Sequence, residues 1–129
     1  MNPNDLPITS IAAASSEELL AAVRRIAQGP LAERVDAIDR EGLYPAEVLR
    51  ALGRLGAMSA HLDAPAGRGD YGLAIRAMAE VSRVCGATGF MVWCQAVCGL
   101  YLQQSGNPAL MGEVLQRHAS GAGMGGTAL

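Results

Sequence analysis

The sequence predicts an all-α domain, an orthogonal or up-down bundle of five to six helices, on three observations. Half of the residues are hydrophobic while only 4% are aromatic, so the apolar mass is chiefly Ala and Leu. These, with Arg and Glu, form helices readily, and the β-branched and aromatic residues that favour strands are sparse. Apolar residues also recur at three- and four-residue spacing in one segment after another, with Gly and Pro between the segments. Finally, no stretch reads as a convincing strand, and there is no internal repeat. The 129 residues suffice for one domain with one modest core.

Residues 1–14, with Pro3, Pro7 and many small side chains, read as a flexible leader. Ser15 and Glu18 then form a capping box, and Leu19, Val23 and Ile26 follow on one helical face until Gly29-Pro30 breaks the run. Leu31, Val35 and Ile38 give a second stripe, with Glu33, Arg34, Asp36, Asp39 and Arg40 on the wet side and Gly42 at the end. Pro45 stands where a first helical position would be, ahead of Val48, Leu49, Leu52 and Leu55, and Gly56 closes that helix. From Met58 to Gly72 the chain is a loop rich in Pro, Gly and Asp. Leu73, Ala77, Met78, Val81 and Val84 mark another helix, with Arg76 and Glu80 spaced to pair on its surface. An apolar helix from Gly89 to Gln104 comes next. Asn107 caps and Pro108 opens the last one, where Leu110, Met111, Val114 and Leu115 are apolar and Glu113 and Arg117 are spaced to pair outside. Gly121 to Gly126 has too little side chain for a helix and reads as an extended exit. The organisation is therefore a leader at 1–14, a helical domain at 15–121 and an exit segment at 122–129.

Charge is spread unevenly. All ten basic residues are Arg and nine lie before Val84, as do eleven of the twelve acids, while Val84 to Gly112 has no charge at all. A domain wetted on every side does not leave so long a stretch bare, so this half expects a cover. A membrane span is the rival explanation for Val84 to Leu102. Gly86, Thr88, Gly89, Gln95 and Gly99 inside the run, and the lack of a basic cluster at either flank, favour a buried central helix. The formal charge of −2 argues against nucleic acid as a partner. The first twenty residues lack the basic start and apolar run of a secretory signal. Three Cys, all in the bare half, read as small buried hydrophobes in a reducing, cytoplasmic compartment. Cys94 and Cys98 are four apart, but no further ligands stand near them, so no metal site is expected.

The remaining motifs read as structure. The Gly-rich tail follows a helix and lacks the Lys-Ser/Thr of a phosphate loop. Arg68-Gly69-Asp70 lies in a turn-forming loop. His61 and His118 have no carboxylate partner in sequence, and for each a structural role outweighs a catalytic one. No nucleophile–base pair or paired carboxylates can be assembled, so no catalytic residue is assigned to this chain.

Several strings, in this order, resemble the N-terminal helical domain of the acyl-CoA dehydrogenase family, over roughly Leu31 to the end. They are Asp39-Arg40-Glu41-Gly42-Leu43-Tyr44-Pro45, Leu52-Gly53-Arg54-Leu55-Gly56-Ala57, and Ala64-Pro65-Ala66-Gly67-Arg68-Gly69. Glu80 to Phe90, Ser105-Gly106-Asn107-Pro108 and the small-residue exit into Gly126-Thr127-Ala128 complete the set. The resemblance implies a chain followed by a β domain and a C-terminal helical domain, homo-oligomeric as a dimer or tetramer, with FAD bound between domains and a neighbouring subunit. It implies a parent oxidoreductase that forms a double bond α,β to the thioester of an acyl-CoA, using a Glu of the C-terminal domain as base. On that reading the 129 residues alone are inactive and do not bind FAD tightly.

Carried over by residue, the helix from Thr88-Gly89 resembles the family's acyl-pocket helix. Met91, Gln95, Cys98, Gly99 and Leu102 fall on one of its faces and are the implied substrate-binding residues, with plain core as the competing reading. Gln95, an amide in an apolar face, needs a partner that substrate or ordered water would supply, and Gly99 would deepen the pocket. Met124, Gly126 and Thr127 match the strand beside the flavin. The chain departs from the family where Ala128 replaces an expected Glu, and where Gly67-Arg68-Gly69 replaces a Gly pair. The departure at Ala128 keeps open a flavin-dependent monooxygenase of the same fold, and a non-enzymatic helical interaction module is the alternative from a different class.

Overall fold

The computed structural model describes Ser15–Gly126, so the leader at 1–14 and Thr127 to Leu129 lie outside the described residues. The architecture is all-α. Helices run α1 Ser16–Ile26, α2 Val35–Glu41, α3 Ala46–Arg54, α4 Tyr71–Ser82, α5 Gly86–Gln104 and α6 Leu115–Ala119. Among the described residues there is no strand, only an isolated bridge between Ala64 and Gly67.

α1 starts as its sequence dictates. The Glu18 N–H donates to Ser15 Oγ at 3.2 Å, and the Ser15 N–H donates back to Glu18 Oε2 at 2.7 Å. Its end differs from expectation, because Gly29-Pro30 does not break the chain. A π-helical turn over Ala27–Leu31 and a 3-10 turn over Ala32–Arg34 carry the backbone on into α2. The widened turn accommodates Pro30, which has no N–H to donate and whose ring would clash in a regular α-helix. Ala27 and Leu31 are both buried, so continuity keeps two core residues in place. α1 and α2 thus form one bent rod, and the helix count is five or six according to how that rod is divided.

α2 closes at Gly42 with φ +70°, the left-handed cap its sequence position suggests. Pro45 is the residue before α3, one place earlier than expected. Asp70, the last residue of the Arg-Gly-Asp turn, caps α4 by accepting the Leu73 N–H at 2.9 Å. α5 begins three residues earlier than expected, because the Cys85 thiol caps it and accepts from the Thr88 N–H and hydroxyl at 3.4 and 3.2 Å.

The core joins Leu20 and Val23 of α1, Leu31 of the π turn, Leu49 and Leu52 of α3, Met58, Val81 of α4 and Val92 of α5. α4 packs between α1 and α5, and α6 packs on both α5 and α3. The α3–α6 crossing is glycine on glycine: a Cβ on Gly53 would collide with the backbone of Gly121. Across α1 and α4 the expected Arg76–Glu80 pair is replaced by two tertiary ones. Arg24 reaches Glu80 at 3.0 Å and Arg76 reaches Glu17 at 2.8 Å. These pairs staple two helices together where a pair within one helix would not. No helix among the described residues is long and apolar enough to cross a membrane.

Two outcomes follow. Gly53→Ala should destabilise the domain by about 1–3 kcal/mol, as overpacking does, read as a fall of several degrees in Tm. Gly29→Ala, where a Cβ meets nothing within 4 Å, should be neutral or mildly stabilising, and equal losses would contradict the crossing described. The hydrogen bond from Arg24 holds the Glu80 carboxyl below the usual range, against the opposing effect of its own burial. A lowered folded-state value stabilises the domain above the ordinary Glu range, and that stability is lost as pH falls through the lowered value. Thermal melts of Glu80→Gln and wild type should therefore differ near neutral pH and converge in acid.

Candidate functional site

α5 is uncharged, and its buried and exposed sides are both apolar. Thr88, Gly89, Val92, Gln95, Ala96 and Gly99 face inward. Phe90, Trp93 and Tyr101 face out, with Phe90 and Trp93 stacked at 5.6 Å between ring centroids. Among the described residues, the expected central helix is therefore covered on one side only.

The five residues expected to line a substrate wall separate into two sets. Cys98 and Leu102 line a groove of about 400 Å³. Its other walls are Glu113, Val114, Arg117 and His118, from the kinked π turn Leu110–Val114 and from α6, and the exit backbone at Gly123 to Gly125. Met91 instead packs against the core. Gln95 and Gly99 are buried against residues that do line the groove.

Gln95 is 5% exposed. Its Nε2 donates to the Gly125 carbonyl at 2.5 Å, and its Oε1 accepts the Gly125 N–H at 3.0 Å. The partner that the sequence reading sought in substrate or water comes from the chain's own backbone, because folding brings the exit segment back across α5. The space at Gly99 is likewise filled and does not deepen the groove. A Cβ there would meet His118 Cδ2 and Leu62 Cδ1, each at 3.3 Å.

His118 and His61 anchor α5 from opposite segments. His118 Nε2 donates to the Gln95 carbonyl at 2.6 Å and His61 Nε2 to the adjacent Ala96 carbonyl at 2.7 Å. Carbonyls only accept, so each ring carries its proton on Nε2. His61 also meets Tyr71 edge-on at 5.8 Å, and its buried Nδ1 has no partner among the described residues. The structural reading of both rings fits this geometry. Gln103 repeats the Gln95 arrangement on the 61–70 loop: its Nε2 donates to the Asp63 carbonyl at 2.8 Å and its Oε1 accepts the Asp63 N–H at 3.1 Å. Sequence reasoning did not single out Gln103, since a Gln at a helix end carries no local signal.

Of the implied cofactor residues, Met124 lines the groove and packs against the core. Gly126 is exposed with open space where a Cβ would stand, and Thr127 lies outside the described residues. The expected Glu113–Arg117 pair is not formed, and both side chains line the groove instead. An exposed pair of that kind has little energy to hold it. Those two were the only charges after Val84, which was the available signal for a polar rim. No group of three metal-ligating side chains comes together among the described residues. The groove lining combines apolar Leu102, Val114 and Met124 with the polar side chains of Glu113, Arg117 and the buried His118, a surface suited to an apolar group.

Residues 13–122 match the family described as Acyl-CoA dehydrogenase, N-terminal domain. No curated protein and no solved structure matches the chain significantly.

Burial pushes the Cys98 thiol above its usual range. Alkylation followed by peptide mass analysis should find Cys98 slower than a free thiol near neutral pH, gaining only as pH rises beyond the ordinary thiol range. A Cys98 that reacted faster than a free thiol would contradict the groove environment described.

Proposed function

The chain belongs to the acyl-CoA dehydrogenase family, as its N-terminal domain, and from that premise we propose that it forms one wall of an acyl pocket and one edge of a flavin site. The parent enzyme is an FAD-dependent oxidoreductase that desaturates an acyl-CoA thioester between its α and β carbons. The observation that carries this reading is the convergence of the two segments the family resemblance singles out. Cys98 and Leu102 of α5 share one groove with Met124 and Gly125 of the exit, next to Gly126 in the chain.

In this reading Cys98 and Leu102 contact the acyl group directly, while Met91, Gln95 and Gly99 hold the wall from within. Apolar lining excludes water from the reacting end of the substrate. Met124, Gly126 and Thr127 form the cofactor edge. Gly126 supports this, because bare, exposed backbone lets a flat ring approach closely. FAD, when bound, supplies the acceptor for the hydride leaving the β carbon. The base that removes the α proton comes from the remaining domains of the parent, and those domains, with a neighbouring subunit, cover the Phe90, Trp93 and Tyr101 face.

Ala128 favours a second reading. With Ala in place of the family's expected Glu, the same fold suits a flavin-dependent monooxygenase acting on another small organic substrate. Anaerobic bleaching of the flavin by acyl-CoA supports the dehydrogenase, whereas product formation that requires oxygen supports the monooxygenase.

Filling the groove tests the assignment. In the flavin-loaded full-length protein, Leu102→Trp should weaken acyl-CoA binding by roughly tenfold or more, a loss of about 1.4 kcal/mol, with FAD affinity unchanged. Unaltered acyl-CoA binding would remove the groove from the substrate path.

A further inference from the structure

We propose that Gln95 is a positioning residue for the flavin edge and does not contact the substrate. The inference rests on the flavin reading above and assigns one of its residues a different partner. Both polar atoms of the Gln95 amide are committed: Nε2 to the Gly125 carbonyl and Oε1 to the Gly125 N–H. A carboxamide has two donors and one acceptor oxygen, and at 5% exposure little of it remains for a ligand. The pairing reproduces what a neighbouring strand would offer, one N–H donated and one accepted at a single residue. A glycine-rich exit otherwise has no side chains to fix its path.

Gly125 lies between Met124 and Gly126, two of the residues implied for the flavin edge. Two further side chains confine it. A Cβ at Gly125 would stand 2.6 Å from Cys98 Sγ and 3.4 Å from both Cε1 and Nδ1 of His118. His118 in turn donates to the Gln95 carbonyl and fills the space over Gly99. The substrate wall on α5 and the cofactor edge on the exit are therefore held in register by the Gln95 hydrogen bonds, with Cys98 and His118 packed against the same glycine. A contact to substrate would leave the exit path unchanged on mutation, whereas a positioning role would not.

Two variants disturb the clamp from opposite partners: Gln95→Met keeps the side chain's length but loses both hydrogen bonds, and Gly125→Ala drives a methyl into Cys98. In the full-length protein, hydrogen exchange at the Gly125 amide is measured alongside FAD affinity, the visible flavin spectrum and KM for acyl-CoA. Both variants should lose Gly125 protection while amides around Val92 stay protected. FAD should bind at least tenfold more weakly, with a displaced visible band, and KM should move less than FAD affinity. If Gly125 protection is lost but FAD affinity and spectrum are unchanged, or if Gln95→Met raises KM alone, the positioning role is overturned. Should wild type bind no FAD, the flavin reading fails, and the exchange arm still decides whether Gln95 holds the exit.

Discussion

A buried polar group must find a partner within the fold, and on α5 that requirement organises everything around it. The helix has no charge with which to attract its neighbours and presents apolar surface on both sides. Specific attachment falls to its few polar side chains and to backbone carbonyls. Gln95 and Gln103 each pair with both backbone groups of one distant residue, Gly125 and Asp63. His118 and His61 each donate to a carbonyl already inside the helix, at Gln95 and Ala96. Four side chains thus fix two irregular segments that have little hydrophobic surface of their own.

Glycine makes these attachments geometrically possible. Gly99 admits the imidazole of His118, Gly125 slips between Cys98 and that ring, and Gly53 lets α6's exit cross α3. Interiors are close-packed, so removing a side chain at a crossing matters as much as placing one. The charged half of the molecule works differently. There α1 and α4 are held by a conventional apolar core and trimmed by the Arg24–Glu80 and Arg76–Glu17 pairs. Two modes of cohesion meet along α4, which packs on both α1 and α5 and buries the small residues Ala74 and Ala77.

Much of the fold was legible in the sequence because it depends on neighbours in the chain. The Ser15 capping box, the stripe Val48, Leu49 and Leu52, and the Gly42 cap are all local signals. Local reasoning erred where tertiary geometry decides between options. Pro30 was read as a break because an ideal α-helix rejects it, yet burial of Ala27 and Leu31 favours a widened turn. Arg76 and Glu80 have the spacing to pair but find partners on α1. Cys85 gave no signal as a cap, since thiols are weak acceptors and rarely fill that role. The groove was half legible. Cys98 and Leu102 could be placed by helical phase, but Gln95, on the same face, was misassigned a partner because Gly125 is thirty residues further on. No periodicity encodes that distance. The family itself was legible from ordered strings, and the match over residues 13–122 agrees.

The outer face of α5 has one more property. The chain contains a single Trp, and it stands there, 45% exposed and stacked on Phe90. An indole in contact with water emits at longer wavelength than one in an apolar site. Whatever seats itself on this face also covers the one Trp of these 129 residues, so docking writes its own optical record in that indole: a blue shift and a loss of quencher access, without any added label.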